Sequence, residues 1–544
     1  MNAKKTWMAL ALAASLGLGA CGGGNAASAA GGAASKSAAS SGAALDATTS
    51  TDGLATLDAL RETSETSLPS GDVYAGTVTA QEATIEAMMA ENQRPHADSN
   101  DAEYDASAAT TVTLDGSSAT VEGDGAQAAD GTVTISAGGT YILTGEFEGQ
   151  VLVEASDADK VTIVLDGVNI SSSDDAAIRV VQADEAVLVL AEGTTNSVSD
   201  TASYSEDYDG PTAAIASKAD LTVGGSGTLD VQGNGNDGVS SSDGLVIIGG
   251  TIDVTAVDDG VRGQDYVVLA AGTLSVQAQG DAIKSDNESD AGRGYVLVTG
   301  GEATLSAGSD AIDATSDLMF AGGAVTVSES EEGFESSNML LAGGSADITS
   351  SDDGLNAVDG TPWLAVTGGE WVLDSEGDGF DSNGEGYISG GSVTVYGPTN
   401  GGNGAIDAEG GVTVTGGTLF AIGSAGMDQA PRTGGEQSAI KVQTNVAEGA
   451  TVAIADSSGN EIASYTSRKR ASSIVFSSAG IAEGQEYMVL VDGEKAATAT
   501  GGDYVAGESM LGGGQGAGGQ MPDGQAPGGQ MPGGQGSGGR PGQG

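Results

Sequence analysis

A short alternating strand returns along this chain at a nearly constant phase. It reads Gly250-Thr251-Ile252-Asp253-Val254, Gly272-Thr273-Leu274-Ser275-Val276, Gly323-Ala324-Val325-Thr326-Val327, Gly391-Ser392-Val393-Thr394-Val395 and Gly417-Thr418-Leu419. Alternation with period two sends the apolar side chains to one face of a strand and the polar ones to the other. Gly301, Gly344 and Gly369 open three further copies, and the successive spacings are 22, 29, 22, 21, 25, 22 and 26 residues. A second element follows each strand: Asp237-Gly238-Val239, Asp259-Gly260-Val261, Asp281-Ala282-Ile283, Asp310-Ala311-Ile312, Glu332-Gly333-Phe334, Asp353-Gly354-Leu355 and Asp378-Gly379-Phe380. An acidic, a small and an apolar residue recur together, and a drifting composition would not hold that phase.

A repeat near 22 residues fits one coil of a parallel β-helix, each coil hydrogen-bonded to the next at ~4.8 Å. Apolar positions in register stack into an interior ladder, and the glycines allow corners at positive φ. The predicted fold is all-β: a right-handed, single-stranded parallel β-helix over residues 107–435, with weaker periodicity between 110 and 240. Residues 436–505 alternate without the glycine phase, as in Thr451-Val452-Ala453-Ile454 and Ser473-Ile474-Val475-Phe476, and are expected to form a small C-terminal β cap.

Composition fits thin stacked layers, with 91 Gly and only 4% aromatic residues. Seventy-six acidic against 18 basic residues give a formal net charge of −58, which excludes nucleic acid as a partner. A monomer is expected. The N-terminus has Lys4 and Lys5, an apolar run from Met8 to Leu18, and then Leu18-Gly19-Ala20-Cys21, similar to a bacterial lipobox. Residues 1–21 therefore read as a lipoprotein signal, with Cys21 lipidated and the chain held on the extracytoplasmic face of the cell membrane by that lipid alone. Cys21 is the single cysteine, so disulfides cannot stabilise the chain. Residues 22–106 read as a low-complexity tether and linker with a short helix within 77–90, and residues 506–544 as a disordered Gly/Gln/Pro tail.

Several stretches resemble a family of bacterial surface carbohydrate-binding β-helix proteins, relatives in fold of pectate lyases. They include Gly139-Thr140-Tyr141-Ile142-Leu143-Thr144-Gly145, Val161-Thr162-Ile163-Val164-Leu165-Asp166-Gly167-Val168 and Leu190-Ala191-Glu192-Gly193-Thr194-Thr195-Asn196. The sequence Asp281-Ala282-Ile283-Lys284-Ser285-Asp286-Asn287 is the most specific. The resemblance implies a right-handed parallel β-helix, bound calcium, and affinity for cellulose or for acidic polymers such as polygalacturonate. Ala282 stands where the family has Gly, and Glu332 and Asn403 interrupt the Asp series.

Coil stacking should align Asp259, Asp281, Asp310, Asp353 and Asp378 on one edge, with Asp258, Asp286, Asn287, Asp313 and Asp381 nearby. Like charges one coil apart repel and raise each other's pKa. Calcium, which takes six to eight oxygen ligands, would reverse that cost. The alternative is that these side chains turn outward or cap corners. Trp363, Trp371, Phe380, Tyr387 and Tyr396 cluster in sequence; Trp363, Trp371 and Tyr387 are candidates to stack on sugars, against the alternative of core packing. His96 is the only histidine, which excludes a His-dependent triad or a multi-His zinc site. Lys284 is the candidate ligand-contacting base of a calcium-assisted lyase, although its acidic neighbours favour its protonated form. Three readings stand: calcium-dependent, non-catalytic polysaccharide binding; a pectate-lyase-like enzyme; and a structural or adhesive surface lipoprotein.

Overall fold

The computed structural model describes residues 50–63, 73–74, 76–205 and 209–505. They form a parallel β-solenoid of about 12 turns. The mean turn is about 24 residues, slightly above the glycine spacing. The coils vary in length, and Ile178 pairs with Ile215, 37 residues on. All eight anchor glycines sit at positive φ, from 69° at Gly391 to 94° at Gly250. At Gly344 an added Cβ would also lie 2.5 Å from the Gly322 carbonyl oxygen, so the corner excludes side chains twice over.

Each coil contributes to three parallel sheets. The first, the ridge sheet, is built from triplets such as Val261–Gly263, Ile283–Ser285, Leu355–Ala357, Phe380–Ser382 and Ile406–Ala408. Their first residues (Val261, Ile283, Ile312, Phe334, Leu355, Phe380, Ile406) stack in the interior, all 2% exposed or less. Their third residues are Ser, Ala or Gly because the chain turns there; the Ser336 hydroxyl donates to the Asn338 carbonyl 3.0 Å away and so satisfies itself within the turn.

The second sheet is buried on both sides. Tyr295–Val298 is fully buried along its length, and the outer surface of this sheet is covered by the N-terminal segment. Leu57 and Leu60 of the helix Ser50–Thr63, and Met88 and Met89 of the helix Ile85–Met89, pack on Tyr266, Tyr295, Leu297 and Met319. Thr84 caps the second helix by accepting from Ala87 N at 3.1 Å. His96 fastens the same segment: its ring nitrogens lie 2.8 Å from Tyr266 Oη and 2.9 Å from Thr222 Oγ1. The tether expected over 22–106 is corrected here, because residues 50–63 and 76–106 form a strap docked on the solenoid. Doubly apolar runs such as Tyr266-Val267-Val268-Leu269 and Tyr295-Val296-Leu297-Val298 need a cover on their second face. The lipobox at Cys21, the segment before residue 50 and the tail after 505 lie outside the described residues.

The third sheet faces outward with polar residues in register, Asp230, Asp253, Ser275, Thr304, Thr326 and Asp347 among them. Its last strand, Thr418–Gly423, pairs antiparallel with Ala471–Ser477, which also pairs with Ala439–Val446. A separate four-stranded antiparallel sheet, spanning Thr451–Asp456 to Glu494–Thr500, completes the C-terminal module. Phe420 stacks on Tyr465 at 3.9 Å between ring centroids, and Arg468 grips Asp347 through two 2.7 Å bonds. This module covers the end of the solenoid, where an open sheet edge would otherwise invite aggregation.

Candidate carboxylate ridge

The repeated aspartates occupy the corner that leads into the ridge sheet. There each carboxylate does structural work for the following coil. Asp259 Oδ1 accepts from Asp281 N at 2.9 Å, Asp281 Oδ1 from Asp310 N at 2.9 Å, and Asp310 Oδ1 from Glu332 N at 3.3 Å. Asp353 Oδ1 accepts from Asp378 N at 2.6 Å, and Asp378 Oδ1 from Gly404 N. The Asp phase is thus explained first by backbone amides that need an acceptor at a corner. Where Glu332 replaces Asp, its longer side chain instead meets the Asn356 amide at 2.8 Å. One oxygen of Asp259, Asp281, Asp310, Asp353 and Asp378 is committed in this way, leaving the other to face its neighbours.

A second column runs beside the corners. The middle residues of the triplets point outward and stack in register: Arg262, Lys284, Asp313, Glu335, Asn356, Asp381 and Asp407. The two halves of this column differ in charge. In the N-terminal half Arg262 pairs with Asp286 at 2.8 Å, while the Lys284 ammonium binds Asp281 and lies 3.2 Å from Asp313. In the C-terminal half Glu335, Asn356, Asp381 and Asp407 have no Lys or Arg partner among the described residues. Carboxylate oxygens of Asp378, Asp381 and Asp407 all lie within 4.8 Å of one another. The Asn356 side chain is 8% exposed, and its buried Oδ1 has no hydrogen-bond partner among the described residues.

This packing leaves its mark on the acids. Burial, followed by the charges of Asp353, Asp378 and Asp407, pushes Asp381 up to about 8. Burial and then Glu332 push Glu335 up to about 9. Burial dominates at Asp310, Asp353 and Asp378 as well, raising them to about 7, 7 and 6, with neighbouring carboxylates adding to it. Asp313 rises to about 6, since burial outweighs the help of Lys284. Burial alone would lower Lys284, but the hydrogen bond and charge of Asp281, joined by Asp313 and Asp259, raise it well above an ordinary lysine.

The structure brings Asp259, Asp281, Asp310, Asp313, Asp353, Asp378 and Asp381 onto one edge, with Asp258 exposed beside Asp259. Asp286 joins them as the partner of Arg262, which binds its Oδ2, while its buried Oδ1 has no hydrogen-bond partner among the described residues. Asn287 does not belong there. It is 3% exposed, its amide donates to Asp265 at 2.7 Å, and its Oδ1 accepts from Ser289 N and Asp290 N to close a turn. The aromatic platform is also corrected. Trp371 is wholly interior, above Ala346, edge-on to Phe320 at 5.3 Å, with Nε1 donating to Gly368 O at 2.8 Å. Trp363 lies 6% exposed at the strap, and Tyr387, partly buried near it, shares a 3.2 Å bond with Thr415. Phe380 is core, and Tyr396 lies beneath the C-terminal module.

Glu335, Asn356 and Asp407 are ridge residues beyond those expected from the Asp phase. The signal for them was present in the triplets Phe334-Glu335-Ser336, Leu355-Asn356-Ala357 and Ile406-Asp407-Ala408. An apolar and a small residue flank one outward position in each.

Fold and site together define a parallel β-solenoid with a stacked carboxylate ridge. Residues 129–359 match a family described as carbohydrate-binding domain-containing protein. A protein of that description from Acetivibrio thermocellus is 36% identical over 137 residues, covering 24% of this chain and 48% of the relative. The match thus takes in about half the length of that relative. A solved structure of a polysaccharide lyase-like protein from C. thermocellum, a gadolinium derivative, is 27% identical. That comparison covers 49% of this chain and 94% of the other, with a TM-score of 0.36.

Proposed function

We propose that the protein binds acidic polysaccharide without cleaving it, through calcium held on the C-terminal half of the ridge. The observation that carries this reading is the stack Glu335, Asn356, Asp381 and Asp407, which has no basic partner among the described residues and in which oxygens of Asp381 and Asp407 lie within 4.8 Å of each other and of Asp378. Such donors suit a hard cation. Asp378, Asp381 and Asp407 would hold one, and the unpartnered Asn356 oxygen is a further donor close by. Bound calcium would supply positive charge with coordination positions left for uronate carboxylates. The match to a carbohydrate-binding family supports the class of partner. Burial of Trp371 and the strap over Trp363 argue for an acidic polymer over cellulose, which would want a flat aromatic surface.

The surroundings of Lys284 favour binding over the lyase reading. Lys284 is held as an ammonium ion between Asp281 and Asp313 and is the resident counter-ion of the N-terminal half. The lipobox supports display of the protein on the extracytoplasmic face of the cell membrane, for which palmitate incorporation at Cys21 is the readout.

The test of binding is retention on immobilised polygalacturonate. Calcium should retain the full chain and a chelator should release it, with no unsaturated uronide formed. Equal retention in both conditions would remove the bridging role, and ultraviolet-absorbing product would restore the enzyme.

A further inference from the structure

Most basic side chains among the described residues are ion-paired, and Arg470 is an exception placed beside a groove. Arg468, Lys469 and Arg470 are consecutive, on the turn that leads into the strand Ala471–Ser477 of the C-terminal module. Arg468 is fixed to Asp347, and Lys469 to Asp374 at 2.9 Å and Glu376 at 3.1 Å, so both clamp the module to the third sheet. Arg470 has no ion pair or hydrogen bond from its side chain among the described residues. In a chain of formal net charge −58, a guanidinium without a carboxylate stands out. Arg94 and Lys495 share that condition, but Arg94 is half-buried in the strap and Lys495 lies on the exposed outer strand of the module.

Arg470 lines a groove of about 300 Å³ where the solenoid meets the module. The size falls at the lower end of small-ligand sites. Thr399, Ser424 and Asn445, all with polar side chains, line the same groove, as does Val446, which is 3% exposed. The walls are rigid: Val446 pairs with Ala471, and Gly423 with Ser473, in the sheet that joins module to solenoid. The Ser472 hydroxyl accepts from Ala425 N at 2.9 Å and ties the two sides together.

A uronate offers a carboxylate, ring hydroxyls and an apolar C–H face, the three features this groove can meet. Arg is the side chain best shaped to take a carboxylate through two parallel bonds. We propose that the Arg470 groove is a calcium-independent subsite for the carboxylate of an acidic sugar. It extends the polymer-binding reading to a second surface and rests on the partner being acidic. The subsite requires no metal, whereas the ridge does. Arg470 is exposed, so its attraction is screened and should weaken with salt.

Calorimetric titration of the full chain with trigalacturonate, in chelator and in calcium, tests this directly. In chelator the wild-type chain should bind weakly and salt-sensitively, Arg470→Ala should lose roughly tenfold in affinity, and Arg470→Lys should keep part of it. Cellotriose, which has no carboxylate, should show no such difference between wild type and Arg470→Ala, and an unchanged melting temperature would confirm that the variant folds. Identical binding of trigalacturonate by wild type and Arg470→Ala in chelator overturns the subsite. So does wild-type binding that requires calcium throughout, and in that case the ridge reading survives alone. Absence of binding in both conditions overturns both.

Discussion

In the presence of a chelator the melting temperature of this protein should fall as pH rises from about 5 to about 8, and calcium should restore most of the loss at the upper end. The direction follows from the ridge acids. Their unfolded pKa lies near 4, whereas in the fold Asp378 and Asp313 rise to about 6, Asp310 and Asp353 to about 7, and Asp381 to about 8. The folded chain therefore holds more protons than the unfolded one through this range. The stability that those protons contribute is complete below the unfolded value and is lost as pH passes through the folded values. Partial exposure and coupling reduce the sum, leaving a change on the order of 2–4 kcal/mol. On the proposed function calcium would replace the departing protons as the neutralising charge, so its stabilisation should grow with pH. The substitution Asp381→Asn should raise the chelator-state melting temperature at pH 8 and blunt the calcium response. A flat pH profile in chelator would show that the stacked acids are not in conflict.

The second large effect concerns Trp371. Replacement by Ala should destabilise the fold by about 3–5 kcal/mol, as expected for an aromatic side chain removed from a packed interior. The change empties space between Ala346 and Val393 on adjacent coils and leaves the Gly368 carbonyl without its donor. Chemical denaturation measures the loss, and polygalacturonate retention of the folded fraction should stay at the wild-type level. A stable variant with impaired retention would instead return Trp371 to the sugar surface.

The repeat was legible because backbone geometry fixes residue type. Positive-φ corners require glycine at Gly250, Gly272 and their equivalents, and the corner amides require an Asp acceptor in the same phase. The acidic edge followed from that register. The ligand sets were harder to read, since Asp and Asn serve several ends. Asn287 looks like a donor to calcium in sequence yet closes a turn, while Asn356, in an unremarkable triplet, stands in the ridge column. The aromatic residues misled for a related reason: Trp363, Trp371 and Tyr387 are close in sequence, but Trp371 turns into the interior while Trp363 and Tyr387 lie on the face of the second sheet that the strap covers. The strap was obscured by small and polar residues, which disguised its few anchors, Leu57, Leu60, Met88 and Met89. Its counterpart, the doubly apolar second sheet, was the clearer sign.

Isothermal calcium titration of the wild-type chain against a chain carrying Asp381→Asn and Asp407→Asn bears most directly on the calcium site proposed for the ridge. Saturable binding by the wild type that is lost from the variant is the result expected of a cation seated between these coils. Equal stoichiometry and affinity in the two proteins would mean that the stacked carboxylates serve the backbone alone.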